Sequence, residues 1–457
     1  MIWMGVAVVA LMALLGAPLF AIVLAAAMLG FLGAGEELSL VAINIYGMTD
    51  KPLLLALPFF TFAGYLMAAA KSSERLMALT RALFGWMPAG LAIVGFLACA
   101  VFTALTGASG VTIVALGALL LPMLKASGYG ERFSLGLVTA SGSLGVLIVP
   151  AVPLILYGVV AQQMAVGETF TIQQLFLGGI GPVLVMLTLL AAWTVWRYGG
   201  GRRLGFETGT LWQALSRRRF SELASAWSVD HREGVPRTTF DAAELWRAVK
   251  AARWELPLPF VVLGGIYSGL FAISEAAAMT ALYVLIVEVG LYREVSLRAL
   301  PGVARDSMVM VGSILLILGV ALAFTDFLIG ADVPQRLFAF MQEHVTNALT
   351  FLILLNILLL VLGAILDIFS AIIIMVPLLL PVAVGYGIHP IHLGVIFLAN
   401  LQIGYFTPPI GMNLFIASYR FDRPVLELYA ACLPFMAVLL IALLIITYVP
   451  ALSLWFL

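Results

Sequence analysis

The residues that carry chemistry in this chain are few, and most of them interrupt apolar sequence. The clearest case is Gly404-Tyr405-Phe406-Thr407-Pro408-Pro409, which cuts through the apolar stretch from Leu366 to Ser418. Two consecutive prolines cannot continue a helix, because each lacks an N–H and clashes with the preceding turn. Backbone opened at membrane depth is tolerated only when buried in protein or lining a wet cavity. A carboxylate, Asp367, stands at the head of the same stretch. Freed carbonyls, the Thr407 hydroxyl and one acid together make an ion or solute site near the bilayer midplane.

A second set of interruptions lies earlier. Thr106-Gly107-Ala108-Ser109-Gly110 divides the apolar run 87–124, and Gly142-Ser143-Leu144-Gly145, Pro150 and Pro153 divide 131–165. The two regions share an order of features. Leu119 to Pro122 answers Leu378 to Pro381, Gly128-Tyr129-Gly130 answers Gly385-Tyr386-Gly387, Gly145 answers Gly404, and Pro150 answers Pro409, with an offset of 257 to 259 residues throughout. Paired discontinuous helices in inverted repeats are the sequence mark of a secondary transporter, with the site where the repeats meet.

The elements that position these residues follow from composition. Of 457 residues, 63% are hydrophobic and 10% charged, far from the balance of a soluble domain, so the chain is an all-α integral membrane protein. Barrel strands would alternate in short segments, which these long runs do not. Residues 1–51 form an N-terminal membrane segment, in which 2–33 is one tilted span or two short ones, broken at Gly16-Ala17-Pro18. This run is too long, and its flank too poor in basic residues, for a cleaved signal peptide. The first repeat covers 52–196: a span and surface arm at 52–86, a re-entrant hairpin at 87–124 and a broken helix at 131–165. The second covers 254–455: spans and arm at 254–345, a hairpin at 347–381, a broken helix at 390–418 and a final span at 425–455.

Between them lies a hydrophilic segment, 197–253, holding eleven of the chain's basic residues, Arg197, Arg217, Arg232 and Arg253 among them. The positive-inside rule makes it cytoplasmic. Trp212, Leu215, Phe220, Leu223 and Trp227 suggest amphipathic interfacial helices within it. Traced outward, the other cytoplasmic segments carry Lys71, Arg75 and Arg81, Lys125 and Arg132, Arg293, Arg298 and Arg305, and Arg420 and Arg423. The segments placed outside, 164–171 and 382–392, carry no Lys or Arg. The trace gives the two hairpins opposite orientation. Cys99 and Cys432 lie in apolar runs without metal-ligand spacing and read as small core residues.

Several stretches resemble the large membrane (DctM-like) subunit of tripartite ATP-independent periplasmic (TRAP) transporters. They are TGASGVTIVALGALLLP (106–122), GVLIVPAVPLILYG (145–158), SEAAAMTALY (274–283), GAILDIFSAIIIMVPLLLP (363–381) and IGYFTPPIGMNLFIAS (403–418). The resemblance implies an elevator-type fold in a bacterial inner membrane. It further implies sodium-coupled uptake of an organic acid delivered by a periplasmic binding protein, with a small membrane subunit as partner. The chain departs from the family at Ser109-Gly110, where two hydroxyls are common, at Ala272-Ile273-Ser274-Glu275 in place of Thr-Pro-Thr-Glu, and in the length of its central loop. A self-sufficient sodium–dicarboxylate symporter of similar fold is the alternative.

Sodium needs several hard oxygens, which unwound helices offer as carbonyls without a full charge. One sodium site is expected from Thr106, Ser109, Gly145, Ile148 and Pro150, and a repeat-related one from Gly363, Gly404, Thr407 and Ile410. Ser109, Asp367, Met412 and Asn413 are the candidate substrate-binding residues. Asp367 faces the cavity, tunes an ion site or sits as a charge at a helix end, and Asn413 donates to a substrate carboxylate or to the core. Glu275 suits helix capping, and Asp326 an interface. His389 and His392 have a possible ligand spacing but lack a third ligand. No phosphate loop, zinc-protease motif or nucleophile–base pairing marks an enzyme. Neither an organic cofactor nor a nucleic-acid partner is expected.

Overall fold

A computed structural model describes residues 2–48, 51–87, 89–198, 203–206, 227–230, 241–345 and 347–457. The first apolar run is two helices, α1 (Ile2–Leu14) and α2 (Leu19–Ala34). Gly16 takes a left-handed φ of +73° between them and Pro18 begins the second. Helix α3 (Ser39–Gly47) follows, then α4 (Ala56–Ala69), and then the arm α5 (Ser72–Phe84), whose apolar face carries Met77, Leu79 and Ala82.

The stretch 87–124 folds as α6 (Gly90–Thr106) and α7 (Ser109–Ala126), joined by a two-residue turn at Gly107-Ala108. Gly107 adopts φ +68°, a conformation that costs a residue with a Cβ about 1–2 kcal/mol. The next stretch is interrupted as its glycines and prolines dictate. Helix α8 (Glu131–Ser141) gives way to a short 3₁₀ turn at Leu144–Leu147, an open segment holding the cis Val149–Pro150 peptide, and α9 (Val152–Gln163). The two parts are bent by 42°. Helix α10 (Ile172–Tyr198) completes this half.

Within the central loop the described residues form two short antiparallel strands, β1 (Arg203–Phe206) and β2 (Trp227–Asp230). The expected amphipathic helices around Trp212, Leu215, Phe220 and Leu223 lie outside the described residues. Trp227 begins a strand rather than joining a helix. The loop ends in α11 (Ala242–Ala251), where Asp241 caps by accepting from the Ala243 N–H at 2.8 Å. It docks on α5: Ala248 packs with Leu79 and Ala82, and Arg81 meets Glu244 at 2.5 Å.

The second half begins with a short helix, α12 (Pro257–Tyr267), where a full span is expected; Gly269 at φ +75° follows its end. Helix α13 (Ile273–Leu285) continues through a π-helical turn at Ile286–Leu291, and Glu275 caps its start by accepting from the Ala272 N–H at 2.8 Å. Helix α14 (Leu300–Gly330) is longer than the apolar run alone suggests, and α15 (Val333–His344) forms a second arm. Then the earlier order recurs: α16 (Ala348–Ile365) turns into α17 (Ile368–Gly385), and α18 (Pro390–Gly404) breaks before α19 (Met412–Phe421). A cis peptide joins Pro408 and Pro409 in this break. Helices α20 (Val425–Tyr448) and α21 (Ala451–Leu454) close the chain. Among the described residues, eight helices are long and apolar enough to cross a membrane.

The halves are tied by packing and by charge. Arg75 of α5, only 10% exposed, meets Glu255 at 2.7 Å, Glu288 at 3.1 Å and Glu294 at 2.6 Å, and lies 4.0 Å over the Tyr292 ring. Burial alone lowers the guanidinium's proton affinity, yet its bonds to Glu255 and Glu294 outweigh that and raise it. A buried cation held by three acids is expensive to break from either side. This clamp joins the first arm to the start of the second half.

Candidate functional site

A cavity of about 600 Å³ lies where the interrupted elements of both halves meet α4 and α14. Tyr65 and Ala68 of α4 and Met310 of α14 form one wall. The opposite wall holds Ser109 of α7, Pro153 of α9, Ile368 and Phe369 of α17, and Met412 of α19. These last residues are all within the first turns of their helices, so four helix N-termini border one cavity. N-terminal N–H groups and the helix dipole favour negative charge there. Asp306 marks the rim, 62% exposed beside Arg305, and among the described residues no Lys or Arg lines the space.

The four helix starts differ in how their donors are occupied. At α17 the Ile368 N–H donates to the Tyr405 hydroxyl at 2.7 Å. The Phe369 and Ser370 N–H groups donate to the Asp367 carboxylate at 3.0 Å each, and the Ser370 hydroxyl joins the same carboxylate. At α19 the Asn413 N–H donates to the Tyr405 carbonyl at 2.9 Å, and at α9 the second position is Pro153, which has no donor. At α7 the cap position is Ala108, which offers no acceptor side chain. No side chain caps this helix, so the Ser109, Gly110 and Val111 N–H groups have no side-chain acceptor among the described residues. The Ser109 hydroxyl, in a residue 5% exposed, has none either.

The residues expected to hold the first sodium ion cluster around the tip of the α6–α7 turn and the first break. Thr106 ends α6, fully buried where Gly64 of α4 crosses its backbone. Gly145 rests against α6, where a Cβ would lie 2.5 Å from the Ala104 nitrogen and 2.8 Å from the Thr103 Cβ. The Gly145 carbonyl accepts from the Ile148 N–H at 3.0 Å and the Ile148 carbonyl from the Ala151 N–H at 2.9 Å. Each therefore keeps a second lone pair. Pro150 is buried within the break.

The second set is arranged alike. Gly363 and Gly404 bring α16 and α18 into backbone contact. Thr407 donates its hydroxyl to the Ile403 carbonyl at 2.8 Å, and its N–H to the Gly404 carbonyl at 2.9 Å. Its hydroxyl oxygen keeps lone pairs that a cation can use. Ile410 is 44% exposed, so this break is more open than the first. Hard oxygens are present at both breaks, and the donor set suits a sodium ion in kind.

Of the candidate substrate residues, Ser109 and Met412 line the cavity. Asp367 caps α17 one residue behind the lining. Asn413 is fully buried outside the lining, and donates to the Thr139 carbonyl of α8 at 3.4 Å. His389 caps α18 by accepting from the Ile391 N–H at 3.1 Å and lies 3.5 Å from Glu168. His392 instead meets Ser453 at 2.6 Å and the Thr447 carbonyl at 3.2 Å. The two imidazoles serve separate local bonds, and no group of three or more metal-ligating side chains occurs among the described residues.

Sequence reasoning missed two features. Tyr65, Met310 and Asp306, on α4 and α14, complete the cavity. A buried amide chain also runs through this half: Asn400 donates to Asn356 at 2.7 Å and Asn356 to Thr447 at 3.1 Å. The available signal was the cost of amides within apolar helices, which marks Asn356, Asn400 and Gln402 as residues in need of partners.

Comparison with known proteins agrees over nearly the whole chain. Residues 4–452 match the family described as "Tripartite ATP-independent periplasmic transporter, DctM component". The chain is 33% identical over 421 residues to the C4-dicarboxylate TRAP transporter large permease protein DctM of Rhodobacter capsulatus, covering 91% of this chain and 89% of that one. It is 32% identical to the isethionate TRAP transporter permease protein DctMQ of Oleidesulfovibrio alaskensis, covering 98% of this chain and 65% of the relative. The crystal structure of the Alcanivorax borkumensis YdaH transporter shares the fold at a TM-score of 0.57 and 17% identity, covering 91% of this chain and 87% of that one.

Proposed function

Because this chain belongs to the DctM component family of tripartite ATP-independent periplasmic transporters, a family of large permease subunits, we propose that it carries an organic acid inward by sodium-coupled elevator transport. The observation that carries this reading is the cavity bordered by four helix N-termini from both halves of the chain. Such a site attracts a carboxylate without placing a full positive charge in the membrane. The paired breaks supply carbonyl and hydroxyl oxygens for sodium beside it, at Thr106, Ser109, Gly145, Ile148 and Pro150 and at Gly363, Gly404, Thr407 and Ile410. Sodium is a second cargo in this scheme, and its release with the acid would drive net uptake.

The cavity rim lies next to Arg305, on the side that the basic residues assign to the cytoplasm. On that assignment the cavity would open inward, toward the side on which the positive-inside rule expects the basic loop. In the elevator scheme the moving part comprises α6–α9 and α16–α19, while α4, α14 and the Arg75 clamp belong to the stationary scaffold. A periplasmic binding protein would deliver the acid, and a small membrane subunit would join the scaffold, in a multi-pass complex of a bacterial inner membrane.

The test is uptake into proteoliposomes containing the chain with its small subunit, with binding protein added outside and a sodium gradient imposed. Uptake requiring both sodium and binding protein is the expected result, and Thr407→Val should reduce it. Uptake indifferent to sodium would remove the coupling sites proposed here.

A further inference from the structure

We propose that the cargo of this cavity presents a single carboxylate, seated on the N-terminus of α7, with the rest of the molecule uncharged or cationic. This rests on the organic-acid reading above and narrows it to monoanions.

The assignment follows from comparing equivalent positions in the two halves. The offset of 259 residues that relates Pro122 to Pro381 also relates Ala108 to Asp367, and both are the cap residues of the second helix in their turns. Around Asp367 the three following N–H groups are all used, two of them by its own carboxylate. Around Ala108 no side chain takes the three equivalent groups, on Ser109, Gly110 and Val111, among the described residues, and all three residues line the cavity. The fourth positions match as well: Thr112 N–H donates to the Ala108 carbonyl at 3.4 Å as Ala371 N–H does to the Asp367 carbonyl at 2.9 Å. The protein thus displays, at α17, how a carboxylate sits on such a turn, and leaves the same seat open at α7. Beside this turn the buried Ser109 hydroxyl has no partner, a polar group with no counterpart in the side chain of Ile368.

The rest of the cavity gives a second carboxylate no equal seat. Asp367 already occupies the α17 terminus. Proline removes a donor from α9, and the Tyr405 carbonyl takes one from α19. Among the described residues no lining residue is basic, and Asp306 at the rim, 3.6 Å from Arg305, offers no seat for a second negative group.

The experiment uses the full chain in detergent with Val114→Cys as reporter. Val114 lines the cavity one turn along α7 and is 44% exposed, whereas Cys99 and Cys432 are buried. Maleimide labelling of this cysteine is timed in sodium chloride with butyrate or succinate, two four-carbon acids at equal concentration. Butyrate should slow labelling several-fold and succinate should not. Ala108→Asp in the same background should abolish butyrate protection, because its side chain occupies the seat as Asp367 does, while the thermal midpoint holds or rises. Equal protection by succinate, no protection by butyrate, or continued protection in a folded Ala108→Asp variant would each overturn the proposal. The acid comparison needs no folding of the variant. It needs no gradient either, so this seat can fail while sodium-driven uptake stands, and uptake can fail while butyrate still protects.

Discussion

Gly404→Ala should be among the most damaging single-methyl changes in this chain. A Cβ at Gly404 would lie 2.5 Å from the Gly363 carbonyl carbon, 2.6 Å from its Cα and 3.0 Å from the Ala364 nitrogen. All three are backbone atoms of α16, so no side chain can turn aside, and relief requires the two helices to separate. Alanine is normally worth about 1 kcal/mol over glycine in a helix. Overpacking of a rigid contact costs about 1–3 kcal/mol, occasionally more. The control is Gly264→Ala in α12, where no atom lies within 4 Å and only the helix gain remains. The helix gain is common to both, so the two variants should differ by about 1–3 kcal/mol, the overpacking term alone. Cys99 and Cys432 are buried free thiols, so a thiol-reactive dye reports unfolding directly during a thermal ramp. Gly404→Ala should unfold several degrees below the parent and Gly264→Ala at or above it. Equal midpoints for the two would refute the claim that backbone contact at Gly363 and Gly404 fixes the second break.

Asp367→Ala should cost about 1–2 kcal/mol, the usual value of a lost helix cap, and Asp367→Asn much less, since asparagine caps nearly as well; the same thermal ramp separates them. Arg75→Met leaves Glu255, Glu288 and Glu294 without their shared cation, for an expected loss of about 3–5 kcal/mol. That deficit should shrink as pH falls, because protonating one of the crowded carboxylates relieves their repulsion, and a pH-independent deficit would refute the charge account. Burial lowers the pKa of His389, with Glu168 partly opposing it. The unfolded chain thus binds this proton more readily, and stability should fall as pH drops below about 6.5. His389→Asn, which keeps a cap acceptor, should flatten that acid limb of a stability–pH curve.

Much of this arrangement was legible because the signals were local. Gly107, Pro150, Pro153 and Pro408-Pro409 each disrupt an apolar helix by their own covalent chemistry, and the structure breaks at each place. Gly16 and Pro18 divide the first run for the same reason, although apolar length alone allowed a single span. What could not be read was anything set by a distant neighbour. Asn413 sits one residue from the lining residue Met412, and only the packing of α19 on α8 sends its amide to Thr139. Tyr65, Met310 and Asp306 enter the cavity because α4 and α14 cross it, and no spacing within either helix announces that. Trp227, counted among the residues of an amphipathic helix, instead starts a strand paired with Arg203–Phe206; strand pairing is a long-range event that a local period does not encode.

The repeat offset gains physical content from one buried hydrogen bond. Ser143 donates its hydroxyl to the carbonyl of Gln402 at 3.0 Å, and the two residues are 259 positions apart. That is the offset relating Gly145 to Gly404 and Pro150 to Pro409. When two similar halves are related by a two-fold axis, a residue touches its own counterpart only close to that axis. On the proposed inverted-repeat reading, the Ser143–Gln402 contact would put that axis between the two broken helices, two residues before Gly145 in one and two before Gly404 in the other. At each break a glycine packs on the first helix of its own hairpin, Gly145 on α6 and Gly404 on α16. The cavity can then be alike in backbone on its two sides yet unlike in chemistry. A single difference at equivalent positions, Ala108 against Asp367, leaves one helix terminus open and satisfies the other. Symmetry of this kind supplies paired seats at low cost in sequence, and one side chain is enough to reserve one of them for the protein itself.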